Sequence, residues 1–426
     1  MFTQQKSEKG QALIFIVIGF VIILGFLGLA IDGGRVYSDR RHAQNSADAS
    51  SLAGGAAAAL NMENSRLFYA DFDCANDDGR LSAAIQAARN AAIARAASNG
   101  FSIDTDVSDF HGVTVVCGVD TSKGFIDKYM DVTVDITTVT QAYFAQFFST
   151  EGLQSQVLAV TRVRPRIPFA MGHAIVALGQ QNCSGNQYGT IFGGSSAVKI
   201  VGGGVFSNGC MNGNGAAFKV EVIGGTIMYA GQLEAGNGDW YQNGNPDPPD
   251  KAVAPLPQDA TYIPEPDCAH PDAHVVSSLS EGDFPLEAGL WCVTGTGDIK
   301  INGGDIVGNG VTIYFAHASV EIDGGKANVT LSAPENLPDP APAVPGLLLY
   351  LAEGDLDMTG NNTTKFQGTI YAPAGEIKAH GTAGMKPTFN TQLIANHVDV
   401  SGNYDLDIIY DQGKAYQIPT GIELNR

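Results

Sequence analysis

Val198-Lys199-Ile200-Val201-Gly202 is followed 22 residues later by Val220-Glu221-Val222-Ile223-Gly224, and this return sets the pattern for most of the 426-residue chain. The same form, apolar-x-apolar-x-Gly, comes back at Ile299, Val320, Leu356, Ile377 and Val398. Successive copies start 21 or 22 residues apart, except for two longer gaps of 79 and 36. Self-similarity at such a period is the mark of a stacked repeat. Side chains alternate along a strand, so the first and third residues of each copy share one face. Stacking then predicts an apolar column containing Val198, Val220, Ile299 and Val320. The residues between them, Lys199, Glu221, Lys300 and Glu321, face water with alternating sign, so stacked neighbours attract. The closing glycine suits a corner that needs positive φ. Second short strands stand between copies at Thr190-Ile191-Phe192, Thr226 to Tyr229, Thr312 to Phe315 and Thr369-Ile370-Tyr371. The pattern predicts an all-β, parallel, right-handed β-helix over 167–426, with a β-sandwich as the alternative architecture.

Two proline-rich stretches interrupt the repeats, at about 231–290 and 333–346. Proline stiffens both, and both are expected to leave the stack as loops. Trp240 and Tyr241 precede the first, where aromatic side chains either stack on a sugar or pin the loop to the body.

At the other end of the chain, Gln11 to Ile31 (QALIFIVIGFVIILGFLGLAI) runs 21 residues without a charge. At about 1.5 Å per residue this spans roughly 30 Å, the hydrocarbon thickness of a bilayer. A transmembrane helix is expected at 11–31, behind a cytoplasmic leader at 1–10. A core helix of that length would show a polar stripe, and this one shows none.

Next come Asp32-Gly33-Gly34-Arg35-Val36-Tyr37, Arg40-Arg41, and Gln44-Asn45-Ser46-Ala47-Asp48-Ala49-Ser50-Ser51-Leu52-Ala53-Gly54. The segment resembles the N-terminal domain of TadG-like proteins of the bacterial Tad (Flp) pilus assembly system. That family reads as an apolar helix, then D-x-G-R-x-Y, one or two Arg, and Q-x-A-A-D-A-A-A-L-A-G-A. The matching positions are Asp32, Gly34, Arg35, Tyr37, Gln44, Ala47, Asp48, Leu52, Ala53 and Gly54. Ala43 stands where the family usually has Leu, and serines replace some alanines. The resemblance covers about the first 60 residues. It implies a role in pilus assembly, as a minor pilin-like or accessory subunit, with the bilayer and other pilus subunits as partners.

Read from the residues alone, Ala47, Ser51, Gly55 and Ala59 recur every fourth position and share one helix face. Small side chains there allow another helix close approach, either a partner subunit or the chain's own domain. Three fates of the N-terminus compete. Lys6, Glu8, Lys9 and Gly10 look like a prepilin leader cut between Gly10 and Gln11, although Phe15 stands where prepilins carry Glu. Signal-peptidase cleavage after Ala30 is the second, and a permanent anchor the third. Lys6 and Lys9 before the span are nearly balanced by Arg35, Arg40 and Arg41 after it, so charge does not set orientation.

The six cysteines suggest an oxidising compartment and three bridges, Cys74–Cys117, Cys183–Cys210 and Cys268–Cys292. None has the spacing of a zinc site. That places the large C-terminal portion outside the cytoplasm, at the cell surface or in the periplasm. Residues 1–166 hold 14 Lys and Arg against 17 Asp and Glu, whereas 167–426 hold 10 against 27. An acidic second half repels nucleic acid, which is excluded as a partner.

The region 32–166 reads as a small α+β domain, with a helix over 81–98, strands at 113–116 and 132–136, a short amphipathic helix at 141–148 and a last strand at 156–163. The carboxylate-rich Asp71 to Arg80 lacks the spacing of a calcium loop. Asp355 with Asp357, or Asp399 with Asp405 and Asp407, would serve a polysaccharide-cleaving enzyme. A polyuronate lyase needs basic groups beside its acids, and the only Arg beyond 166 is Arg426. No serine-hydrolase elbow, zincin helix or phosphate loop occurs. The expectation is a non-enzymatic protein without cofactor or metal. A surface adhesin or polysaccharide-binding protein that uses the first segment as an anchor, with a surface glycan as partner, is the alternative.

Overall fold

The computed structural model describes residues 11–105, 111–121, 126–147, 152–181, 183, 189–195, 197–215, 217–335, 342–382 and 384–425. Two compact units emerge, one comprising 1–166 with 419–426, the other 167–418. Among the described residues there are two α-helices, and the remainder is mostly β.

The first unit is built on α1 (Gln11–Ser65), 55 residues long. Its apolar half, from Leu13 to Ile31, is exposed along nearly its whole length. The composition then changes to alanine, serine and glycine, and one face becomes buried. Helix α2 (Arg80–Ser98) packs Leu81, Ala84, Ala88, Ala92 and Ala96 inward, at the spacing of a single helical stripe. Asp77 ends the preceding loop by accepting from the backbone N–H groups of Gly79, Leu81 and Ser82. Asp77 thus caps a helix, and Asp71 and Asp78 pair with Arg80.

Strands β1 (Gly112–Asp120), β2 (Asp127–Thr140) and β3 (Leu153–Arg164) form an antiparallel sheet. Met130, Val132, Val134, Ile136, Val157 and Val163 are buried with the alanine faces of both helices. The expected last strand is not last. Gly421–Asn425 returns to pair antiparallel with β3, so the C-terminus leaves the repeats and completes this sheet. Its Glu423 lies opposite Arg162 in the register and pairs with Arg164, whose guanidinium also grips buried Asp127. The helix expected at 141–148 reduces to a single 3-10 turn, Ala145–Phe147, with Phe148 outside the described residues.

In the second unit, short strands join in three parallel ladders. The first runs His274–Val276, Gly289–Thr296, Val311–His317, Leu347–Leu351, 369–371, 393–395, His173–Ala177, Gly204–Ser207, Ile227–Tyr229 and Asp250–Lys251. Leu406 pairs with Val198, so the last repeat of the chain abuts the first, in the middle of the series.

All seven pentapeptides form strands, but not one column. Ile299, Val320, Leu356, Ile377 and Val398 follow one another on a second ladder. Val198 and Val220 belong to a third, between Leu406 and Trp240. The pentapeptide encodes an inward-outward alternation, which either ladder can use. Of its closing glycines only Gly202 and Gly224 take the positive φ expected of a corner, and Gly360, Gly381 and Gly402 end their strands without it. The expected column of Val198, Val220, Ile299 and Val320 is therefore two columns. The predicted attraction between outward neighbours occurs at Lys300 and Glu321, 2.6 Å apart.

Starting the stack in the middle leaves a return path to be covered, and the first proline-rich stretch covers it. The ladder strands continue to Lys251. From there the chain runs back across the first ladder as a strap. Ala252 N–H donates to the Tyr229 carbonyl and Leu256 N–H to the Asn208 side chain. Tyr371 donates its hydroxyl to the Thr261 carbonyl, Tyr350 to that of Ile263, and Tyr314 to the Glu265 carboxylate. The Cys268–Cys292 disulfide ends the path. The stretch is thus pinned along the stack, not looped away from it, because each tyrosine hydroxyl finds an acceptor on it. Trp240 anchors the start of the stretch in the core: it is 7 % exposed, packs edge-on against Phe192 and Phe218, and its carbonyl accepts from Asp247 N–H. Tyr241 lies under Lys219.

Candidate functional site

Positions 28, 32, 35 and 39 of α1 fall three or four residues apart and therefore share one face. Asp32, at the end of the apolar run, is 3 % exposed. Its Oδ1 accepts from Tyr143 N–H at 2.8 Å, and its Oδ2 accepts from Phe144 N–H at 2.9 Å and Ala145 N–H at 2.7 Å. The turn Ala145–Phe147 has free N–H groups at its start, and a carboxylate from a distant helix satisfies them. Burial opposes the charge, but the three donors outweigh it and hold the Asp32 carboxyl below the usual carboxylate range.

The neighbours on that face complete a latch. The Arg35 guanidinium lies over the Tyr143 ring at 4.1 Å from its centroid. Gly28 lets Phe144 approach so closely that a Cβ there would meet Phe144 Cγ at 2.8 Å. Asp39 accepts from the Thr140 hydroxyl at 2.7 Å. Sequence reasoning marked Asp32 and Arg35 but missed Tyr143 and Phe144, since nothing local ties them to a helix more than 100 residues away.

Further along, Gln44 donates to Asp48 at 2.8 Å and to the Leu158 carbonyl of β3 at 3.3 Å. Ser51 accepts from the Thr161 hydroxyl at 3.0 Å. Ala47, Ser51, Gly55 and Ala59 are all buried. A Cβ on Gly55 would lie 2.5 Å from Thr161 Cγ2, and one on Gly54 would lie 2.9 Å from the Ala88 carbonyl and Val132 Cγ1. Of the two occupants expected for the stripe, a partner subunit or the chain's own domain, the domain's own sheet and α2 lie against it. The opposite face carries the rest of the motif: Gly34, Tyr37 and Leu52 are exposed, while Ala53 is half-buried.

Residues 10–59 match the Tad family model, Flp pilus-assembly TadE/G-like. The match agrees with the resemblance to TadG-like proteins and covers the apolar run, Asp32, Arg35 and the buried stripe of the Tad segment. It supports a membrane-anchored role related to pilus assembly, and the apolar part of α1 fits a single-pass anchor. Residues 272–413 match a second family model, a domain of unknown function, DUF7305. No curated protein and no solved structure matches the chain.

Gly10 lies outside the described residues, and Gln11 begins α1. The cysteines pair as Cys74–Cys117, Cys183–Cys210 and Cys268–Cys292. Four of the five acids considered for catalysis have partners within the repeats. Asp355 accepts from Glu376 N–H, Asp399 from Ser401 N–H and Asp405 from Ala197 N–H, while Asp407 pairs with Lys386 at 2.8 Å. Asp355 and Asp357 line an open depression of about 260 Å³ shared with Lys300 and Glu321. Among the described residues, no three His, Cys, Asp or Glu side chains converge as a metal would require.

Proposed function

We propose that the chain is a non-enzymatic, membrane-anchored accessory or minor pilin-like subunit of Tad pilus assembly, carrying a parallel β-helix outside the cytoplasm. The Tad match at 10–59 carries this reading, because it covers the span and the helix that holds the first domain together. Three parallel ladders, each joining strands about one repeat apart, support the β-helix. Three disulfides support an oxidising compartment. Capping and ion-pair duties of Asp355, Asp399, Asp405 and Asp407 support a binding role over catalysis.

With the small-residue stripe filled, the open side of α1 is the surface for other pilus subunits. Gly34, Tyr37, Arg41, Asn45 and Leu52 lie on that one exposed face. Mass spectrometry of the N-terminal peptide, in sheared fibres and in membranes, tests the assignment. A start at Gln11 in fibres identifies a pilin-like subunit, and an uncut start confined to membranes identifies an accessory anchor. Absence of pilus proteins from material co-purified with the full chain, together with unchanged piliation in its deletion strain, would refute both.

A further inference from the structure

The latch fixes two large side chains where no folding role requires them to be exposed. Tyr143 is 58 % exposed and Phe144 43 % exposed, although a buried carboxylate and a stacked guanidinium hold their backbone and one ring in place. Phe144 touches Gly28, which lies three residues inside the apolar run. At about 1.5 Å per residue, the contact falls roughly 4 to 5 Å inside the end of that run. Around it stand Phe26, Leu27, Leu29 and Ile31, all exposed. The exposed rings therefore continue the surface of the membrane span without a break. Arg40 and Arg41, two to three turns beyond Asp32, are exposed as well and suit anionic headgroups.

From this geometry we infer that the segment at Tyr143 and Phe144 is a second membrane contact, an aromatic hook inserted in the interfacial layer of the bilayer. The occupant of this apolar surface is lipid, because the surface is continuous with the span and has cationic side chains beside it. Aromatic side chains with one polar end favour that layer. A single helix leaves its domain free to rotate about the helix axis, whereas a hook to one side removes that freedom. The Asp32 carboxylate positions the hook and sets its depth. The inference rests on the reading of 11–31 as a membrane span.

The test uses the full chain in vesicles of phosphatidylethanolamine and phosphatidylglycerol containing brominated phosphatidylcholine. Bromines sit either near the headgroup end of the acyl chains or near the chain ends. F144W, Y143W and F20W serve as reporters, each read as the difference from the parent emission due to Trp240 and Trp291. F144W and Y143W are expected to lose emission mainly to headgroup-end bromines, and F20W mainly to chain-end bromines. Adding D32A to F144W is expected to restore the emission. If F20W is quenched while F144W and Y143W are not, the hook is overturned and the span stands. If none is quenched, the span and the hook fall together. Quenching of F144W that persists with D32A overturns the positioning role of Asp32.

Discussion

Ile418 lies beside Ile167 in antiparallel register, so the repeat unit receives and releases the chain at one place. The first and last repeats must then meet, and they do so through Leu406 and Val198, which are 1 % and 3 % exposed. No short corner connects the two repeats at this joint, and side-chain packing, ladder hydrogen bonds and the strap that crosses it hold it. Leu406→Ala is expected to cost about 2 to 5 kcal/mol of stability, the usual range for a buried Leu. In urea unfolding it should also break two-state behaviour, with the two halves of the unit separating. A single transition with an unchanged midpoint would contradict the joint.

The strap depends on three tyrosine hydroxyls and one disulfide. Burial raises the Tyr350 and Tyr371 hydroxyls above the ordinary tyrosine range, the latter to about 12, so both keep their protons to donate at any physiological pH. Each such bond contributes about 1 kcal/mol net. Removing one by Tyr350→Phe should hardly alter the strap. Replacing Tyr314, Tyr350 and Tyr371 together by Phe should expose 252–267 to limited proteolysis while the ladders persist, as read by mass spectrometry of the first cleavage products. Resistance equal to the parent would show that packing, not hydroxyl bonding, holds the strap.

The strands of the repeats were legible because the inward-outward alternation acts within five residues. Their assignment to ladders was not, since Val198 and Ile299 carry the same local pattern on different faces. The strap was hidden for a related reason. Its prolines announce an extended chain, but the acceptors for Tyr314, Tyr350 and Tyr371 come from 49 to 110 residues away. Sequence likewise exposed the buried face of α1 and could not say what fills it. Small residues admit a sheet as readily as a helix, and the Thr161 side chain decides the matter.

Gly55 converts that point into a measurement. A Cβ at this position would stand 2.5 Å from Thr161 Cγ2 and 3.3 Å from Val163 Cγ2, so Gly55→Leu must push β3 away from α1. Overpacking of this kind typically costs about 1 to 3 kcal/mol. The variant should lower the thermal midpoint of the first unit, whereas Gly34→Leu, with open space around it, should not. Equal midpoints for both variants would return the stripe to the role of a docking surface.

His173 offers a pH test of the second unit. Burial pushes its imidazole down to about 4, and its Nδ1 has no hydrogen-bond partner. The unfolded chain takes up a proton near pH 6.5 while the folded chain refuses it until about 4. Stability should be full above 6.5 and fall as the pH drops through that window, from this group alone. His173→Phe should flatten the slope between pH 6.5 and 4 in urea unfolding. An unchanged slope would assign the pH dependence to other groups.

Asp32 works as an anion whereas His173 stays neutral, but the same direction of pH dependence follows. Its folded pKa lies below the value in the unfolded chain, so the latch is fully present above about pH 4 and is lost as the pH falls through the folded value. Asp32→Asn keeps the shape but replaces one carboxylate oxygen by a donor that faces N–H groups. The amides of Tyr143, Phe144 and Ala145 should then exchange with solvent faster than in the parent at neutral pH. The parent itself should show that acceleration only in acid, below the folded pKa. Equal exchange in parent and variant at neutral pH would mean that something other than the carboxylate protects these amides. In that case Asp32 would not be the residue that ties the Tad helix to the turn.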